Sequence, residues 1–184
     1  MIIVIGMAFA RQCRFTMRSP GDRMSVESIV AEEAMSENKT CPMPGDARAF
    51  LATVENPRRQ RDGLILLERF IEWTSMEPVL WGNGLAGNEG SAIIGFGRYH
   101  YRYESGREGD YFLTGFSVRK ANMAIYVMTG FKKYQHELAA LGPHKHSVSC
   151  LYLTNLMNND LEALEGMVRG SVSEMQGKYQ WWQR

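Results

Sequence analysis

Cysteine is scarce in this 184-residue chain: Cys13, Cys41 and Cys150 are odd in number, widely spaced and without a Cys-x-x-Cys pair. That argues against a disulfide framework and a cysteine-only zinc site, and it fits a reducing, cytoplasmic compartment. Long apolar runs are also lacking. A bilayer span needs about 20 consecutive apolar residues, and only residues 1–10 are markedly apolar. Their basic neighbours Arg11 and Arg14 follow rather than precede them, the reverse of an export signal. No charge dominates, because 21 Lys and Arg stand against 20 Asp and Glu, so no global field draws the chain to nucleic acid or to an anionic membrane. Catalytic fingerprints are missing too: there is no Gly-x-Ser-x-Gly elbow, no His-Glu-x-x-His and no dinucleotide-binding glycine run. Cys150 sits in an apolar stretch where a buried thiol is the default. The chain reads as a binding module rather than an enzyme.

What is present suits one domain. A chain of this length that is 45% hydrophobic and 22% charged can bury a single sizeable core. Residues 1–45 change character from apolar to basic to acidic, and only residues 26–35 offer a short helix. They read as a poorly structured or partly helical extension, with Met24 as an alternative start. The regular pattern runs over 46–176, and 177–184 reads as a tail.

Within the domain, Asp46 is placed to cap a helix carrying Phe50, Leu51 and Val54, and Pro57 opens a longer one after Asn56. In that second helix Leu64, Leu67 and Ile71 form the expected apolar stripe, widened by Leu66, Phe70 and Trp73. The middle of the chain alternates as strands. Residues 93–103, 111–118 and 123–128 predict an antiparallel meander, with Arg98, His100 and Arg102 on one face and Tyr99, Tyr101 and Tyr103 on the other. A helix through Tyr134 and Leu138, a short strand at 149–153 and a last helix through Leu164, Val168 and Val172 complete the order. The expected class is α+β: an antiparallel sheet, a meander plus one further short strand, packed with about four helices.

Four blocks carry a resemblance: GFGRYHYRYESGREGD at 95–110, LTGFSVRKAN at 113–122, YVMTGF at 126–131 and SCLYL at 149–153, preceded by Glu77-Pro78 and Trp81-Gly82. In order and spacing the chain resembles the YdhG-like domain family, a family of unknown function with frataxin-like relatives. The resemblance implies an α+β fold with helices packed on an antiparallel sheet. It also implies possible iron binding, for which the carboxylates Glu68 and Glu72, one helical turn apart, are the candidates, with Glu162 and Glu165 a similar pair. Two departures stand out: the glycine-rich insertion NGLAGNEGS at 83–91, and KHSVS at 145–149 where relatives carry a Lys-Thr-Gly-Lys-Ser-like run. If that turn binds an anion in the family, binding here is expected to be weaker or different.

Cations supply the main candidate site. Arg98, His100 and Arg102 share a strand face, and the turns beyond add Arg107, Arg119, Lys120 and Lys145, with Tyr101 near enough to close over a ligand. Guanidinium forks recognise carboxylates and phosphates bidentately, so the expected partner is a small anionic ligand or a protein. The competing reading pairs Arg98 and Arg102 with Glu104, Glu108 and Asp110 as cross-strand ion pairs. The glycines of 82–90 lack the Gly-Lys-Ser/Thr ending of a phosphate loop and read as a surface insertion. His144 and His146, two apart, lack an evident third metal ligand. The expectation is a non-catalytic small-ligand or partner-binding module, with an iron-binding chaperone as the alternative; nothing in the sequence sets the oligomeric state.

Overall fold

A computed structural model describes residues 40–82 and 92–183. The expected helix at 26–35 and the glycine-rich insertion at 83–91 lie outside the described residues. The order is β1 (Cys41–Met43), α1 (Ala47–Ala52), α2 (Pro57–Thr74), β2 (Pro78–Gly82), β3 (Ile93–Phe96), β4 (Arg98–Arg102), β5 (Glu108–Tyr111), β6 (Thr114–Val118), β7 (Met123–Val127), α3 (Gln135–Ala140), β8 (Lys145–His146), β9 (Cys150–Leu153), α4 (Leu161–Lys178) and β10 (Trp181–Trp182). Seven strands form an antiparallel sheet ordered β1-β2-β3-β6-β7-β9-β8, and three form a second sheet ordered β10-β4-β5. The class is α+β, with four α-helices among the described residues. No described helix is long and apolar enough to cross a membrane.

The capping chemistry works largely as the sequence suggests. Asp46 accepts from the Ala49 backbone N–H at 2.7 Å, and Asn56 accepts from those of Arg58 and Arg59 just ahead of Pro57. Asn159 with Glu162 three residues on has the spacing of a capping pair, yet Asp160 caps the last helix, while the Asn159 amide donates to the carbonyls of Leu141 and Pro143 and ties α4 to the end of α3.

The expected stripe of α2 is rotated. Its buried residues are Arg59, Asp62, Gly63, Leu66, Leu67, Phe70 and Trp73, whereas Ile71 is exposed and Leu64 only half-buried. Leu66, Leu67, Phe70 and Trp73 of the expected stripe are buried, but two charged residues and a glycine occupy the first turns of that face, so apolar spacing alone places its centre too far toward Leu64 and Ile71. Gly63 is there because a Cβ would meet Leu51 and Val118 at 2.8 and 3.0 Å. With α4, which buries Leu164, Met167, Val168 and Val172, this helix covers one face of the large sheet over Phe96, Phe116, Ile125 and Leu151. Each such fully buried side chain contributes roughly 1.5–3 kcal/mol. A smaller cluster of Trp81, Ile93 and Phe112 lies apart from this core.

The meander is present as β3, β6 and β7, but two of the expected strands are broken. Residues 93–103 divide at Gly97, whose φ of +63° and whose close neighbours Leu113 and Met76 exclude a side chain. Across from it, Phe112 and Leu113 divide 111–118. The ribbon therefore bends out of the large sheet, and its outer half, β4 with β5, builds the second one. Further strands escape the sequence pattern. β2 was not expected, and Trp181–Trp182, placed in a tail, pairs with Arg98 and Tyr99 as β10. Likewise β1, ahead of the expected boundary at 46, pairs with β2.

Tyrosines crowd this bend. Burial first, and then the neighbouring Tyr179, raises the pKa of Tyr99. Burial pushes Tyr111 up to about 12. It raises Tyr126 as well, against an opposing hydrogen bond from Arg119. Each phenol keeps its proton in the folded chain above the ordinary 10.0, where the unfolded chain has lost it. Their stabilisation is complete below that value and declines as pH rises through it. The urea midpoint should therefore hold to about pH 10, fall between about pH 10 and about pH 12, and fall less in Tyr99→Phe. A flat profile in the wild type would contradict this assignment.

Candidate functional site

The expected cation face forms on β4. Cross-strand register sets His100 against Asp110 and Arg102 against Glu108. Arg98 donates from Nη2 to Asp110 Oδ2 at 2.7 Å, with side chains only 16% and 11% exposed. The other Asp110 oxygen lies 2.9 Å from His100 Nδ1. Arg102 Nε stands 3.6 Å from Glu108 Oε2, and His100 Nε2 stands 3.8 Å from that same oxygen. The Arg98 guanidinium also sits between two indoles, 5.9 Å from the Trp81 ring and 5.6 Å from that of Trp182. Carboxylates of the same hairpin thus meet these cations, as in the competing reading, with Glu108 and Asp110 as partners. Tyr101 lies beside Tyr99 and Tyr103 instead.

Arg119 and Lys120 lie elsewhere. They occupy the turn between β6 and β7, closed by the Arg119 N–H donating to the Asn122 carbonyl. Arg98 follows the bend at the opposite end of β6, whose five residues span about 17 Å at roughly 3.4 Å each. The expected convergence of Arg98, His100 and Arg119 on one edge does not occur. Lys145 is exposed on the edge strand β8.

Arg119 and Lys120 instead join a groove that the sequence did not suggest, about 610 Å³ in volume. Phe50, Val54 and Val118 supply its apolar wall, Thr53, Glu55 and Asn56 come from the α1–α2 junction, and Arg59 completes it. Arg59 is 3% exposed. It donates from Nη1 to the Thr154 carbonyl at 2.7 Å and from Nη2 to the Ala121 carbonyl, while its Nε has no hydrogen-bond partner. One guanidinium therefore binds the start of α2 to the β6–β7 turn and to the exit of β9. Burial lowers its pKa, Arg58 adds to that, and Asp62 opposes it. Arg119 reaches the Tyr126 hydroxyl at 3.2 Å and lies over the Tyr152 ring. A sequence signal for the groove existed: Arg59 falls one turn before Gly63 and two before Leu66 on the buried face.

For metals, no three His, Cys, Asp or Glu side chains gather among the described residues. Glu68 pairs with Arg48 and Glu72 with Arg69, so the two candidate iron carboxylates have different cationic partners. Glu165 pairs with Arg169.

Comparison of the chain with protein-family models, with curated proteins and with solved structures gives no match in any of the three.

Proposed function

We propose that this protein is a small-ligand-binding module that takes an organic anion with an apolar body in the groove between the α1–α2 junction and the β6–β7 turn. The reading rests on the joining of three cations, Arg59, Arg119 and Lys120, to a wall of Phe50, Val54 and Val118, with Glu55 as the one opposing carboxylate. An apolar enclosure with a few placed polar groups is what small-molecule sites share. Arg59 has its Nη atoms committed to carbonyls, so it contributes field rather than a grip. Lys120 is exposed and supplies the main contact to a carboxylate, and Arg119, also exposed, adds the N–H groups that its bond to Tyr126 leaves over. We further propose that the chain is a YdhG-like domain, supported by the blocks at 95–110 and 113–122 and by their place in an α+β fold.

The test is a panel of aliphatic and aryl carboxylates, screened by thermal shift and followed by calorimetry. At least one should bind with 1:1 stoichiometry. Replacing Arg119 and Lys120 together by Gln should weaken it by about tenfold or more, the equivalent of one charge-assisted contact. Binding unchanged in that variant would reject the groove, and no binding from the whole panel would reject the ligand class.

A further inference from the structure

The histidines around β8 are used neither by the groove nor by the β4–β5 face. We propose that His144 and His146 form a binding site for a borderline first-row divalent cation, with Cu2+ held most tightly and Ni2+ and Zn2+ less so.

Spacing provides the first element. Residues two apart in an extended segment project to the same side, and the two imidazole rings lie 6.0 Å apart, centre to centre, with planes 23° from parallel. The intervening Lys145 is directed to the other face, across from Tyr152. Hydrogen bonding provides the second element. His144 Nδ1 is 2.7 Å from the Gly142 carbonyl oxygen, and His146 Nδ1 is 3.2 Å from that of Ser147. A carbonyl oxygen only accepts, so Nδ1 carries a proton in each ring, and in the neutral imidazole Nε2 keeps its lone pair. Metal-ligating histidines are oriented in this way, donating the other ring N–H to a backbone carbonyl. Packing fixes one ring further, since His146 rests on the buried Phe131 ring at 5.0 Å. His146 is exposed and His144 half-buried, which leaves room for water to fill the remaining coordination positions.

The chemistry follows from the donors. Neutral imidazoles suit copper, nickel and zinc, and affinity along the series peaks at copper. Metal–nitrogen bonds of about 2.0–2.1 Å require side-chain rotation to turn both Nε2 atoms onto one ion. Two protein ligands without a third give a site weaker than a structural zinc centre, and one whose affinity depends on both histidines acting together.

Cu2+ titration of the untagged full-length chain, read by calorimetry and by electron paramagnetic resonance, tests this. The expected result is one tightest site per chain with nitrogen hyperfine structure from two imidazoles. His144→Ala and His146→Ala should each lower its affinity about tenfold or more, as a chelate reduced to one ligand does. Each variant should retain the wild-type circular dichroism, because both side chains lie outside the core. His100→Ala should leave the copper site unchanged. A site that survives either the His144 or the His146 replacement, that is lost with His100, or that never saturates would overturn the proposal.

Discussion

Replacing Arg59 by Met should destabilise the protein by about 3–5 kcal/mol, the range for removing one partner from a buried charge network. The methionine keeps much of the apolar stem but none of the donors. The Thr154 and Ala121 carbonyls that the guanidinium now bonds would be left without it at the part-buried base of the groove. Asp62, 0% exposed and with neither carboxylate oxygen hydrogen-bonded, would also lose the buried cation one turn away. Lysine should rescue poorly, because one ammonium does not reproduce a planar fork that reaches two carbonyls on different loops. Urea unfolding gives the measurement. The double variant with Asp62→Asn should recover part of the loss, since removing the carboxylate's charge relieves what the arginine leaves behind. A loss below about 1 kcal/mol for Arg59→Met would show that the clamp contributes no more than an ordinary surface pair.

Gly115→Ala should be nearly as damaging, for a steric reason. A Cβ there would lie 2.5 Å from the Ile94 carbonyl oxygen and 3.0 Å from Gly95 Cα, both backbone atoms of the neighbouring strand β3. No rotamer relieves that contact, so the two strands must part at the centre of the sheet. Overpacking of this kind costs typically 1–3 kcal/mol. Gly95 stands directly opposite in register, and a Cβ on it would meet the Trp81 indole at 2.7 Å and Phe112 at 2.8 Å. Gly95 is thus the floor on which the Trp81 indole rests. Gly177→Ala serves as the control: nothing lies within 4 Å of its Cβ, and in helix α4 it should stabilise by about 0.5–1 kcal/mol. Equal melting temperatures for the two alanine variants would refute the distinction.

Much of the fold was legible because local chemistry and tertiary demand agree in it. Asp46, Asn56 and Pro57 start helices where their side-chain chemistry says they should, and the apolar spacing of α4 is the face it buries. The candidate site was less legible. Alternation correctly grouped Arg98, His100 and Arg102, yet it carried no information about the other side of the hairpin, where register delivers Asp110 and Glu108 to them. Arg119 and Lys120 were read as neighbours of that group because the sequence treats the strands as straight and continuous. Gly97 bends the ribbon away and leaves them at the far end of β6.

The sequence by itself determined the α+β class, the starts of α1 and α2, the antiparallel order of the central strands and the absence of a dominant charge. These follow from periodicity, capping and composition, each of which acts over a few residues. Tertiary structure alone decided that Arg59 and Asp62 belong to the buried face of α2, that Trp181 and Trp182 close a second sheet, and that a groove joins Phe50 to Arg119. Each of those depends on contacts between residues tens of positions apart, such as Arg59 with Thr154, and no local pattern specifies which distant carbonyl a buried guanidinium will meet.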